Sequence, residues 1–137
     1  MKKATNEAIS ISRYISSFLH DYAPIHITGS DNTLKSYETA LTLYLEFLEN
    51  LKSVTVETLN WKCFRKEWIE EWLVWLERAR NCKPGSCNVR LGSFRTFLKY
   101  IGSKDASLVS IYLEATTIKK RHAPLRKVVG LSKDAVK

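Results

Sequence analysis

Residues 83–101 constrain the fold more than any other part of the chain, because their apolar positions follow the repeat of an α-helix. The apolar residues recur at spacings of four, three, four and three: Cys87, Leu91, Phe94, Leu98 and Ile101. At about 100° per residue, this spacing draws a single apolar stripe along a helix. A Lys-Pro-Gly-Ser turn starts the segment, with Pro84 at a first helical position and Ser86 as a candidate N-cap.

A second face of the same helix is polar or basic. Its members recur at spacings of four, three and four: Asn88, Gly92, Arg95 and Lys99. Between Glu77 and Asp105 the chain has seven Lys or Arg residues and no Asp or Glu. A solvated helix face ordinarily mixes both signs, so a face with one sign predicts an anionic partner. Gly92 would let another backbone come close.

Four more segments show helical spacing of their apolar residues: 7–22, 33–51, 61–79 and 106–117. The sequence therefore predicts an all-α fold, a compact bundle of four to five helices over residues 1–117, followed by a basic linker at 118–137. Pro24 should end the first helix. The four Trp of segment 61–79 are expected to pack in the core rather than to stack on bases.

The net charge of +8 is concentrated in two places, since residues 81–104 carry +5 and residues 119–137 carry +6. Such concentration points to nucleic acid first and to an anionic membrane second. The basic tail has few of the large apolar residues that a helix needs in order to bind a membrane surface. No apolar run approaches the roughly 18 residues of a membrane span, and the N-terminus does not have the form of a signal peptide. The expected location is the cytoplasm.

The sequence predicts no cofactor, no metal site and no catalytic residue. Cys82 and Cys87 are five residues apart, but a second pair of ligands is missing and the three His are scattered. There is no Gly-rich phosphate loop and no Ser/His/Asp arrangement at a recognised spacing. An enzyme acting alone is therefore the least favoured class.

The start of the second predicted helix suits a phosphate as well as a cap. Ser-Asp-Asn-Thr at 30–33 is a strong N-terminal cap cluster. Thr33, Lys35 and Ser36 add hydroxyl groups and a cation beside the free N–H groups and the positive end of the helix dipole. Plain capping is the reading that the local sequence favours when taken alone.

Short motifs occur in a fixed order along the chain. The second predicted helix carries a Thr-x3-Tyr-x3-Leu pattern and a Phe-Leu pair, at Thr33, Tyr37, Leu41 and 47–48. The third ends in an aromatic-rich stretch at 71–76, and the fourth combines Asn88 with Arg-Leu at 90–91 and Phe94-Arg95. Aromatic–aliphatic pairs follow at 97–98 and 100–101, then a basic linker with a Pro and Leu-Ser-Lys-Asp at 131–134.

In this order, over residues 8–137, the motifs resemble the N-terminal core-binding (SAM-like) domain of tyrosine recombinases, the phage-integrase family. The resemblance implies a domain that clamps duplex DNA with its second and fourth helices. It also implies that strand breakage and rejoining, for integration or recombination, belong to a separate catalytic domain. Neighbouring recombinase subunits would be further partners on DNA, and the fragment alone is expected to be monomeric.

The residues and the resemblance together predict one DNA-binding surface, formed by Thr33, Lys35, Ser36, Lys83, Ser86, Asn88, Arg95, Lys99, Lys119, Lys120, Arg121 and Arg126. Most of these are expected to contact phosphates. Asn88 and Lys83 are the candidates for base edges, because Asn suits adenine and Lys suits guanine. Arg90 lies on the other flank of the helix and is expected to pair with an acid. The alternative is a helical protein-interaction module whose basic face docks an acidic partner.

Overall fold

The computed structural model describes residues 3–121, and these form the all-α bundle that the periodicity predicts. Five α-helices make up the bundle: α1 Asn6–Ser17, α2 Asp31–Lys52, α3 Lys66–Ala79, α4 Pro84–Lys104 and α5 Val109–Ala115. Short 3-10 turns connect several of them, and residues 3–121 contain no β-strand. None of the helices in this range is long and apolar enough to cross a membrane. Most of the predicted linker, with Arg126, lies outside the described residues.

The helical path that begins with α1 continues past Pro24, so the prediction that Pro24 ends it was wrong. The chain leaves α1 in helical geometry and continues as a π-helix over Phe18–Ile27, with Pro24 inside it. The Thr28 N–H donates to the Ala23 carbonyl at 3.0 Å, the five-residue spacing of a π-helix. In an α-helix the proline ring would clash with the carbonyl four residues earlier. The wider π turn relieves that clash, and Phe18 and Ala23 are buried while Ile25 and Ile27 are exposed.

The predicted third helix begins later than its aromatic spacing suggests. Trp61–Phe64 is a separate 3-10 turn, and Arg65 is extended, with φ −68° and ψ 154°, so α3 starts at Lys66. The Trp residues nevertheless pack as predicted. Trp72 and Trp75 are buried, and Trp61 and Trp68 lie partly buried against the core.

Helix α4 is the centre of the core, and its predicted apolar stripe is confirmed. All five of its residues are buried: Cys87, Leu91, Phe94, Leu98 and Ile101. The Phe94 ring lies 4.4 Å from the Tyr44 ring of α2 and 5.2 Å from the Trp72 ring of α3, centroid to centroid. The Tyr44 hydroxyl donates to the Cys63 carbonyl at 2.5 Å, so this buried polar group is satisfied.

Ring contacts also give the direction of α2 relative to α4. Tyr37, early in α2, and Phe97, late in α4, both contact the Phe18 ring, at 5.4 and 5.5 Å. Tyr44, seven residues further along α2, contacts Phe94, which is earlier in α4. The two helices are therefore antiparallel, and the start of α2 lies beside the end of α4.

The packed body continues past the predicted boundary at residue 117. Ile118 is buried, and the Arg121 backbone is hydrogen-bonded to the side chain of Asn88. Residues 116–121, called segment 116–121 below, thus form part of the bundle surface. The reason is non-local, because Ile118 supplies the apolar contact and α4 supplies the polar partners.

Candidate nucleic-acid interface

The solvent-facing side of α4 is a narrow stripe of small and polar residues. Its members recur at spacings of four, three, four, three and four: Gly85, Val89, Gly92, Thr96, Lys99 and Ser103. All are exposed except Thr96, which is half-buried. A Cβ added at Gly85 or Gly92 would meet no atom within 4 Å. This exposed stripe carries one cation and no acid, and its small residues leave room for close approach.

Asn88 and Arg95, which were predicted to belong to that open face, border it and are already engaged. Asn88 Nδ2 donates to the Arg121 carbonyl at 3.0 Å, and Asn88 Oδ1 accepts the Arg121 N–H at 2.7 Å. Arg95 Nε donates to the Ala115 carbonyl at 2.9 Å, and its Nη2 donates to the Ile118 carbonyl. Burial lowers the pKa of the Arg95 guanidinium. Both side chains therefore fasten segment 116–121 to α4, and their spacing on the helix gave no sign of this role.

Arg121 has an acidic partner that the sequence gave no reason to choose. Its Nη2 lies 3.0 Å from Glu77 Oε1 near the end of α3, and both side chains are about a third exposed, 30% and 32%. Between the two fixed points of segment 116–121, Ile118 and Arg121, the side chains of Lys119 and Lys120 are exposed. Neither lysine has an ion pair among residues 3–121, whereas Arg121 is engaged within the protein.

Helix α4 begins without a side-chain cap. Lys83 occupies the N-cap position in extended geometry, Pro84 follows, and no acid lies in the first turn. Ser86, predicted as the N-cap, lies inside the first turn and is exposed. The unpaired N–H groups and the positive end of the dipole therefore face solvent beside the Lys83 ammonium group and the Ser86 hydroxyl. Anions are stabilised in such a setting.

The start of α2 is capped, as its local sequence favours. Ser30 Oγ accepts the Thr33 N–H at 3.3 Å, and Ser36 Oγ donates to the Asn32 carbonyl at 3.1 Å. Lys35 is exposed and has no ion pair within residues 3–121. Of the three residues proposed here, Lys35 is the one whose polar group is most open to a partner.

The predicted residues therefore fall into two groups at opposite ends of α4. Lys83 and Ser86 are at its start, and segment 116–121, which carries Lys119 and Lys120, is bonded to α4 at Asn88 near that end and at Arg95 near its middle. Lys99 is near the other end, beside the start of α2. Ser86 and Lys99 are separated by about 20 Å along the helix axis at 1.5 Å per residue. The exposed stripe runs between the two groups.

Three acidic residues lie together on a different surface, while Asp31 and Glu38 lie beside Lys35 at the start of α2. Glu46, Glu49 and Glu57 line a groove of about 330 Å³ between the outer face of α2 and residues 54–59. Of these, only Glu46 has an ion pair among residues 3–121, with Arg80. This groove would repel phosphates, whereas the exposed stripe of α4 carries no acid.

Arg90 does not make the ion pair expected from the sequence. None of the ion pairs among residues 3–121 includes it, and its Nε is buried without a hydrogen-bond partner. Arg90 lies in the second turn of α4. Its guanidinium adds to the positive charge near the start of α4.

The cysteines contribute to packing. Cys63 and Cys87 are buried and Cys82 is half-buried, all as free thiols. Burial raises the pKa of Cys87 to about 11, so its thiol is neutral near neutral pH. No group of three or more His, Cys, Asp or Glu side chains within residues 3–121 is placed to hold a metal ion.

Comparisons with known proteins identified no relative of this chain. No protein-family model matches the chain, and neither the search of curated proteins nor the search of solved structures found a match.

Proposed function

We propose that this chain is the DNA-binding, core-binding domain of a site-specific tyrosine recombinase or integrase. The observation that carries the proposal is the exposed stripe of α4, which has small residues, one cation and no acid, together with Lys83 and Lys99 near its two ends, neither of which has an ion pair within residues 3–121. The motif order of the sequence supports the recombinase family. Strand breakage and rejoining would belong to a separate catalytic domain, and no residue of this chain is given a catalytic role.

The dimensions of the α4 surface suit a duplex. The cations Lys83 and Lys99 are about 24 Å apart along the helix axis at 1.5 Å per residue, whereas the major groove of B-DNA is about 12 Å wide. The end groups can therefore contact phosphates on both sides of the groove while the stripe faces its opening. Gly92 and Thr96 place little bulk there, so the helix can approach closely. Contacts of this kind fix position rather than sequence.

Three single substitutions with the same change in net charge test the proposal. Lys99→Ala removes a cation from the stripe, and Gly92→Glu adds a carboxylate to it. Lys62→Ala is the matched control, because Lys62 is exposed in the 3-10 turn before α3, remote from the stripe in sequence. A Glu at Gly92 enters open space, and helix propensity favours it over Gly by a few tenths of a kcal/mol or more.

We expect Lys99→Ala to lower affinity for random duplex DNA by about threefold to tenfold at low salt, as one phosphate contact is lost. Gly92→Glu should lower it by at least roughly tenfold through like-charge repulsion. Lys62→Ala should change it by less than about twofold. The measurement is fluorescence anisotropy with a labelled duplex and, in parallel, a labelled acidic polypeptide. Equal losses of DNA affinity in all three variants would show that binding depends on net charge alone and not on the exposed stripe. Binding of the polypeptide but not of DNA would favour the protein-interaction module.

A further inference from the structure

We infer that Asn88 supports DNA binding as a positioning residue, by holding segment 116–121 against α4 so that Lys119 and Lys120 are exposed between two anchored residues. This inference rests on the proposed function. It replaces the expectation that Asn88 reads a base edge.

The hydrogen bonds of Asn88 leave it little capacity for a base. An Asn reads adenine by offering Oδ1 and Nδ2 together. Both atoms are bonded to the Arg121 backbone, at 2.7 and 3.0 Å. Reading a base would therefore require releasing both main-chain groups of Arg121, and these would then need new partners.

The hydrogen bonds of Asn88 also fix the backbone next to Lys119 and Lys120. On one side of them, Ile118 is buried and its carbonyl accepts from Arg95. On the other side, Arg121 is held by Asn88 through its backbone and by Glu77 through its side chain. Two exposed cations between two anchors lose less freedom on meeting a phosphate than the same cations on a free chain would lose. Removing one anchor should therefore weaken their contribution without removing any charge.

A double-mutant cycle on the full chain tests this reasoning, with Asn88→Ala, the pair Lys119→Ala/Lys120→Ala, and the triple variant. Amide hydrogen exchange of Arg121 is measured without DNA, and duplex affinity is measured by anisotropy. We expect Asn88→Ala to speed Arg121 amide exchange at least tenfold and to lower affinity about threefold to tenfold for all sequences alike. In the background without Lys119 and Lys120, the same substitution should change affinity less than twofold. Ser86→Ala is the control for the exchange measurement and should leave Arg121 unchanged.

Two results would overturn the inference. Unchanged Arg121 exchange in Asn88→Ala would show that the side chain does not anchor the segment. An equal loss of affinity in both backgrounds, with altered sequence preference, would show direct contact with bases. Wild-type protein that fails to bind duplex DNA would overturn the proposed function and this inference with it. The exchange rate of the Arg121 amide is measured without DNA. It therefore shows whether Asn88 anchors the segment even if the wild-type protein does not bind DNA.

Discussion

Phe94→Ala is expected to lower the free energy of unfolding by about 3–5 kcal/mol, the range for large-to-small changes at buried aromatic positions. Phe94 is fully buried at the centre of α4. Its ring contacts the rings of Tyr44, Trp72 and Phe64 at 4.4, 5.2 and 5.9 Å. Alanine would leave a cavity where three helices and a turn meet. Because domains of this size are stable by only about 5–15 kcal/mol, the loss would leave little margin.

Urea unfolding followed by Trp fluorescence measures the effect of Phe94→Ala. Val89→Ala on the same helix is the control, since Val89 is 54% exposed and should change the free energy of unfolding by less than about 0.5 kcal/mol. A loss below about 1 kcal/mol for Phe94→Ala would be far under the cost of truncating a core aromatic residue. Such a result would contradict the central position of α4.

Arg95→Ala is expected to lower the free energy of unfolding by about 2–4 kcal/mol, because hydrogen bonds to charged groups contribute about 1.5–3 kcal/mol each and add incompletely. The guanidinium donates to the Ala115 and Ile118 carbonyls at the end of α5. Without it, both carbonyls lose a partner, and buried Ile118 loses the polar contact that holds it against α4. From the sequence alone, Arg95 was predicted to contact DNA, and its hydrogen bonds to the end of α5 were not predicted.

Lys99→Ala is the matched comparison for Arg95→Ala. It removes the same charge one turn further along α4, where the ammonium group has no ion pair among residues 3–121. Thermal and urea unfolding should show a clear loss for Arg95→Ala and less than about 0.5 kcal/mol for Lys99→Ala. Equal stability of the two variants would show that the Arg95 hydrogen bonds do not hold the end of α5. If Arg95→Ala is destabilised as expected, weaker DNA binding by that variant is not evidence of a direct contact.

The buried side of α4 is predictable from the sequence because it depends only on the local spacing of apolar residues. An apolar residue every three or four positions must turn toward the core, whatever the neighbouring helices are. The polar flank has no such rule. The partners of Asn88 and Arg95 are main-chain groups 33 and 20 residues downstream. Carbonyl and N–H groups occur in every residue type, so the sequence has no signal for them. Helical spacing correctly predicted which flank of α4 carries Asn88 and Arg95, but it did not predict the main-chain groups to which they are hydrogen-bonded.

Pro24 also shows that a local sequence rule can fail, in this case the rule that proline ends an α-helix. Proline ends an α-helix because of its missing N–H and its ring, and that rule predicted a connector at residues 23–29. The chain keeps its helical path by widening to a π-helix, which leaves Phe18 and Ala23 buried. Tertiary packing of these two residues decides the outcome, and it was not part of the local rule.

The most direct test of the DNA-binding surface is the salt dependence of duplex affinity for the wild-type chain. Lys35, Lys83, Lys99, Lys119 and Lys120 are exposed cations of the proposed surface within residues 3–121. If about four to six basic residues contact phosphates, the slope of log K against log salt should be about −4 to −5, at roughly −0.9 per phosphate. Fluorescence anisotropy with a random duplex at several salt concentrations gives this slope. A slope near zero, or no binding at low salt, would contradict the account.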